Sequence, residues 1–128
     1  MTNLRFQNMG FVAQFRGLIT LYDIYKINKE IYGHPEFANH LFQIFDLSEA
    51  KIKPDEEASQ ILSEHAAIDL ASSYTNKNVK VATIATDPEI IKLITIYEEE
   101  SRKFESPWEF ATFDNFDDAM NWIGIKKI

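Results

Sequence analysis

Residues 41–58 read LFQIFDLSEAKIKPDEEA, and this stretch decides the fold class. The apolar run at 41–45 has the length and composition of a buried strand. The strand is predicted to stop at Asp46, a short polar loop follows, and a helix is predicted from Pro54 to about Tyr74. A strand, a loop and a helix in succession are typical of α/β proteins, in which the loops beyond the carboxyl ends of the strands often carry function.

Three carboxylates that follow Pro54 are candidate site residues: Asp55, Glu56 and Glu57. Acidic residues in the first turn of a helix are favoured by the positive end of the helix dipole. With Asp46, they could instead hold Mg²⁺ or act in acid–base catalysis, which requires at least two converging carboxylates. The helix-start interpretation is the simpler one, so no catalytic residue and no metal ligand is assigned to them.

The rest of the chain predicts alternating strands and helices. In chain order these are strands at 4–8 and 11–18, a helix at 20–32, the strand and helix of 41–74, a strand at 79–86, a helix from 88, a strand at 108–113 and a helix at 115–123. Thr20 and Asp23 have the spacing of a capping box, and Asp87 precedes Pro88 as an N-cap would. The predicted class is α/β, in the order β-β-α-β-α-β-α-β-α: a four- to five-stranded mixed sheet with four helices, parallel apart from the opening hairpin.

Composition limits the function classes. The chain has 128 residues, of which 45% are hydrophobic and 26% charged, and we expect one globular domain over 1–128. A net charge of -7, with 13 scattered Lys and Arg, argues against nucleic-acid binding, which requires a concentrated basic face. There are no cysteines, and no apolar run approaches the ~20 residues that a membrane-spanning helix needs. We therefore expect a cytoplasmic protein without a transmembrane segment.

The sequence contains no recognisable catalytic or cofactor motif. His34, His40 and His65 do not have the spacing of a zinc site, and His65 falls near the apolar stripe of its helix. A glycine-rich phosphate loop and a nucleophile elbow are both missing from the 128 residues. No cofactor and no enzymatic activity are expected.

Aromatic residues are abundant, with ten Phe, five Tyr and two Trp. Most of them fit predicted core positions. Tyr22, Tyr25 and Trp108 are less clearly directed inward and are candidates for an apolar patch or pocket. Core packing remains the alternative for these three residues.

Four short motifs resemble those of the STAS fold, the fold of the bacterial anti-sigma-factor antagonists, and in particular of stand-alone, SpoIIAA-like STAS domains. They are GLIT (17–20), FDL (45–47), VKVATIAT (79–86) and a closing F…FDDAMNWI that ends at Ile123. Their order and spacing carry the resemblance, which extends over nearly the whole chain. It implies a single STAS-like domain, of bacterial type, that acts through a protein partner.

One departure from the family pattern is informative. In the antagonists, a serine of an Asp-Ser-Ser-Gly motif after the third strand is phosphorylated by a partner kinase, and this switches partner binding. Aligned without gaps from residues 46–48, the motif positions fall on residues 54–57, and no Ser or Thr lies between Glu49 and Ala58. A phosphoserine adds about -1.5 to -2 charges, so three carboxylates here resemble a permanently charged state. The phosphorylation cycle is therefore not carried over.

The leading hypothesis is a non-enzymatic regulatory domain that binds a protein partner. Its interaction loop would contain Asp46, Ser48, Asp55, Glu56 and Glu57. The alternative is a carrier or sensor of a small apolar ligand such as a lipid, which the aromatic excess favours. An exposed edge strand also leaves homodimerisation open.

Overall fold

The computed structural model describes residues 2–7, 9–53 and 55–124, and within these ranges five strands form one sheet in the order β1-β2-β3-β4-β5. The strands are β1 (Thr2–Gln7), β2 (Gly10–Ile19), β3 (Phe42–Ile52), β4 (Lys80–Ile84) and β5 (Glu109–Phe113). The helices are α1 (Leu21–Tyr32), α2 (Ala58–Ser73), α3 (Pro88–Lys103) and α4 (Phe116–Ile123), with a 3₁₀ turn at Phe37–Asn39. β1 is antiparallel to β2, and the other neighbours are parallel. The predicted element order and fold class are confirmed.

Local capping signals set three of the helix starts. Asp23 N–H donates to Thr20 Oγ1 at 3.2 Å and Thr20 N–H donates to Asp23 Oδ2 at 2.8 Å, which completes the predicted capping box of α1. Asp87 caps α3, and Asn115 Oδ1 accepts from Asp118 N–H at 2.8 Å at the start of α4. Because these contacts lie within three or four residues of each other, they can be read directly from the sequence.

The two faces of the sheet bury separate apolar clusters. On one face, residues such as Phe15, Phe45 and Val81 pack against Ile31 of α1 and Ile90 of α3. Helix α4 covers the other face. Its buried residues Ala119, Met120 and Ile123 pack on a cluster of strand residues: Val12, Phe42, Ile44, Ala82 and Ile84. The face that carries three helices is the one in which a cavity remains.

The prediction that the third strand stops at Asp46 is wrong, because β3 continues to Ile52. Between Gln14 and Arg16 of β2 lies one residue, whereas between their partners Asp46 and Glu49 on β3 lie two. This one-residue bulge keeps Leu47, Ala50 and Ile52 on the face of the core. Pairing with β2 therefore extends the strand through residues whose polarity suggests a loop.

The helix after β3 also begins later than predicted. α2 starts at Ala58, with Glu57 as its N-cap residue, and its first turn contains no acidic residue. Asp55, Glu56 and Glu57 therefore precede the helix, and their predicted first-turn positions are wrong. Pro54, predicted as the first helical residue, lies outside the described residues, as does Asn8 at the predicted end of the first strand.

Candidate functional site

β2 and β3 extend beyond the rest of the sheet at their carboxyl ends. β4 pairs with Phe42–Asp46 of β3, whereas Glu49–Ile52 pairs with Arg16–Ile19 of β2. We call the paired segments 16–19 and 49–52 the ribbon. Its cross-strand ion pair joins Arg16 Nε and Glu49 Oε2 at 2.8 Å, but both side chains are exposed, so the pair contributes little stability.

Asp46 and Ser48 form the base of the ribbon. Asp46 Oδ1 accepts from the backbone N–H of Ser48 at 3.0 Å and from its hydroxyl at 2.7 Å. Both hydrogen bonds lie within the bulged segment of β3. The sequence placed these two residues in an interaction loop, but in the structure they belong to β3.

The three carboxylates of the predicted loop lie at the far end of the ribbon. Asp55, Glu56 and Glu57 are all exposed, and Asp55 Oδ1 accepts from Glu57 N–H at 2.8 Å. Ile52 lies four residues after Ser48 on the same extended strand, a distance of about 13 Å. The five residues predicted to form one loop are therefore divided between the base and the tip of the ribbon.

Two exposed apolar side chains lie at the same end of the ribbon as these carboxylates. Lys53 N–H donates to Ile19 O at 2.8 Å, which ties the chain just before Asp55 to the end of β2. Leu18 and Tyr22 lie on either side of this point in sequence and are 70% and 62% exposed. We call Leu18, Tyr22, Asp55, Glu56 and Glu57 the ribbon tip.

The structure does not bring Trp108 together with Tyr22 and Tyr25. Trp108 is a core residue, and its indole N–H donates to Asn76 O at 2.7 Å. It packs against Tyr32, which lies ten residues, or about 15 Å of helix, beyond Tyr22. Tyr25 stacks on Tyr22 with ring centroids 6.1 Å apart. Trp108 is therefore not part of an apolar patch, and the core alternative is correct for it, because the tertiary fold provides a partner for its N–H and buries its ring.

Helices α1, α2 and α3 enclose a cavity of about 80 Å³ over the sheet. Its wall is mainly apolar and includes Leu21, Phe45, Ile52, Leu62, Val81 and Ile94. Five polar residues also line it: Asn28, His65, Asp69, Thr83 and Tyr97. Since Leu21 and Ile52 adjoin the ribbon tip in sequence, the cavity and the tip occupy the same end of the molecule.

A buried carboxylate holds the three helices together. Asp69 of α2 accepts hydrogen bonds from the hydroxyls of Tyr32 of α1 and Tyr97 of α3, one on each oxygen. Burial raises the pKa of Asp69 from 3.8 to about 6, although both tyrosine hydrogen bonds act to lower it. Burial, together with the Asp69 charge, also raises the pKa of both tyrosines well above 10.

Sequence reasoning missed Asp69, Tyr97 and Asn28 as site residues. Asp69 continues the spacing of buried positions on α2 that includes Leu62, His65, Ala66 and Ser73. A carboxylate on a buried helical stripe is a usable signal, since such a group requires partners. His65 was correctly placed near this stripe, and burial lowers its pKa.

Among the described residues, no group of three or more His, Asp or Glu side chains is arranged to hold a metal ion. No helix in the same ranges is both long enough and apolar enough to span a bilayer. His34 and His40 lie together in a ring cluster with Phe6, with His34 and Phe6 centroids 4.4 Å apart.

Known proteins resemble this chain in structure. No family model matches the sequence, and no curated protein matches it either. An anti-sigma factor antagonist from Mycobacterium paratuberculosis superimposes with a TM-score of 0.61 at 15% identity, over 98% of this chain and 94% of the other. An uncharacterised DUF3478-family protein with a SpoIIAA-like fold from Shewanella loihica gives 0.53 at 13% identity, over 96% and 92%. This chain therefore has a STAS-like fold of the SpoIIAA type.

Proposed function

We propose that this protein is a non-enzymatic regulatory domain that binds a protein partner through the ribbon tip. The observation that carries the proposal is the tip itself, where one end of the ribbon holds three exposed carboxylates and the exposed side chains of Leu18 and Tyr22. Apolar anchors bordered by charge are typical of protein interfaces. The structural likeness to an anti-sigma factor antagonist supports the same class of function.

The composition of the tip specifies the partner's chemistry. Asp55, Glu56 and Glu57 are complementary to a basic surface, and the two apolar side chains to a shallow apolar pocket within it. Asp46 and Ser48 contribute indirectly, because their hydrogen bonds shape the bulge from which the ribbon projects. The partner is thus a protein with Lys or Arg around an apolar depression.

Charge reversal tests this proposal. Asp55→Lys/Glu56→Lys should abolish capture of a partner from extract of the native host. Glu99→Lys/Asp117→Lys is the matched control, because it changes net charge equally at exposed positions on α3 and α4. Loss of capture in the first variant alone, together with weakening of wild-type capture by salt, supports the proposal. Equal capture by both variants contradicts it.

We also propose that partner binding is not switched by phosphorylation. No Ser or Thr lies between Glu49 and Ala58, the stretch in which the family carries its phosphorylated serine. The first hydroxyl side chain after this stretch is the exposed Ser59, the second residue of α2. Mass spectrometry of the protein purified from its native host should find Ser59 unmodified. Substantial phosphorylation of Ser59 would overturn the proposal that the charge of the tip is permanent.

A ligand carrier is the second candidate function, and the cavity favours it. The volume of about 80 Å³ suits a small molecule rather than an acyl chain, since drug-sized ligands occupy about 300–1,000 Å³. Native mass spectrometry should therefore show no fatty acid. A fatty-acid adduct that raises the melting temperature would restore the lipid alternative.

Homodimerisation and location complete the proposal. The outer side of β1 is unpaired among the described residues, and Phe6 on it is 40% exposed, so a dimer would form at this edge. Light scattering after size-exclusion chromatography measures the oligomeric state.

A cytoplasmic location is proposed with the regulatory role, and fractionation of host cells tests it.

A further inference from the structure

Two buried polar atoms beside the cavity have no hydrogen-bond partner within the described residues. They are Oδ1 of Asn28 and Nε2 of His65. Asn28 is 6% exposed and His65 is 5% exposed, and both residues line the cavity. Buried polar groups in native proteins nearly always have a hydrogen-bond partner, so these two atoms require a bound water or ligand in the cavity.

Asp69 does not supply that partner, because neither atom makes a hydrogen bond to its carboxylate, which accepts the hydroxyls of Tyr32 and Tyr97. Asn28 Oδ1 requires a donor, and the imidazole of His65, neutral because burial lowers its pKa, offers Nε2 as a donor or an acceptor. A hydroxyl group can donate to Asn28 and also pair with His65 in either tautomer.

Apart from Thr83, Asp69 and Tyr97, the remaining wall is hydrocarbon, and it includes Leu21, Phe45, Leu62 and Val81. Ile24, Ile52 and Leu93 are partly exposed and also line the cavity, which gives it a mouth to solvent. We propose that this cavity is a binding site for a small neutral alcohol with a short branched or cyclic apolar body, whose hydroxyl lies between Asn28 and His65. This site is separate from the partner-binding role of the ribbon tip.

Titrations followed by ¹⁵N–¹H NMR test the assignment. Isobutanol should give saturable shifts confined to residues around the cavity, with a dissociation constant in the millimolar range because so small a ligand makes few contacts. Isobutyl chloride has a similar shape but no donor and should bind more weakly. Isobutylammonium should also bind more weakly, because moving its charged group from water into a mainly apolar cavity costs solvation free energy. Shifts that do not saturate, or tighter binding of the ammonium ion, would overturn the proposal.

Variants separate the site from general surface binding. Asn28→Leu should weaken isobutanol binding by about fivefold, which is the loss of one hydrogen bond, and leave isobutyl chloride unchanged. Asn121→Leu, at an exposed position on α4, should change neither affinity. Leu62→Phe fills the cavity from α2 and should abolish binding of both probes. Isobutanol affinity that survives Leu62→Phe shows that the cavity is not the site.

Discussion

At the scale of single residues, the carboxyl group of Asp69 lies between the hydroxyls of Tyr32 and Tyr97, and burial raises its pKa from 3.8 to about 6. The native carboxyl keeps its proton up to a higher pH than the unfolded one, so the native state binds more protons between about pH 4 and pH 6. Stability contributed by this group therefore increases as the pH falls through that window, by up to about 3 kcal/mol.

Asp69→Asn isolates this contribution, because it retains an acceptor oxygen and the side-chain shape but cannot ionise. The free energy of unfolding of the wild type should rise relative to that of Asp69→Asn as the pH is lowered from 7 to 4. Urea unfolding at a series of pH values measures the difference. Parallel pH profiles for the two proteins would contradict a raised pKa at Asp69.

Gly10 is required by the ring of Phe42. A Cβ atom at Gly10 would come within 2.5 Å of the ring carbons Cδ1 and Cε1, and Phe42 is fully buried. Gly10→Ala should therefore lower the free energy of unfolding by about 1–3 kcal/mol, the usual cost of overpacking. Phe42→Leu should compensate in part, so the double variant should be less destabilised than the sum of the two single variants. Additive effects in urea unfolding would show that the ring is not the cause.

At the scale of elements, the ribbon shows how pairing overrides local polarity. Ser48, Glu49 and Lys51 would favour a loop in isolation, but β2 provides a hydrogen-bonding neighbour out to Ile52. The apolar side chains of β3 lie on the core face both before and after the bulge, because the extra residue in the bulge restores the alternation. The ribbon in turn determines where the acidic tip stands.

Asp46→Ala removes the two hydrogen bonds that close the bulge. We expect it to destabilise the ribbon by about 1 kcal/mol and to speed amide exchange of residues 49–53 by about fivefold. Asp117→Ala on the exposed side of α4 is the control and should leave these amides unchanged. Hydrogen–deuterium exchange with mass spectrometry compares the two variants. Unchanged protection in Asp46→Ala would mean that strand pairing alone holds the ribbon.

The N-cap of α1 provides a second prediction for an element. Thr20→Ala removes the Oγ1 acceptor of the capping box and should cost about 0.5–2 kcal/mol of stability. Thr95→Ala, at an exposed position within α3, should change stability by less than about 0.5 kcal/mol. Thermal unfolding of both variants provides the comparison. Equal melting temperatures would contradict a stabilising cap at Thr20.

At the scale of the whole molecule, the two core clusters share one sheet, and we propose that they unfold together as one domain. Trp108 belongs to the cluster under α1 and α3, and Trp122 packs against the cluster under α4. In Trp122→Phe, fluorescence reports on Trp108 alone, while far-ultraviolet circular dichroism reports on the whole chain. The two urea transitions should coincide, and separate midpoints would indicate two units.

The sequence by itself determined the element order, the mixed sheet and three helix starts. Thr20, Asp87 and Asn115 act on backbone groups within a few residues, so their effects are local and readable. The STAS-like resemblance followed from the order of these same elements. The sequence also identified the acidic residues as candidates for the site, but it did not determine their arrangement in space.

Only the tertiary structure decided the end of β3, the start of α2 and the burial of Trp108 and Asp69. Three of these features depend on a partner distant in sequence: β2 for residues 49–52, Asn76 for Trp108, and Tyr32 and Tyr97 for Asp69. The cavity is also of this kind, since it exists only where three helices meet the sheet. Long-range pairing and desolvation outweigh local preference at these positions, and a single sequence records local preference far more directly.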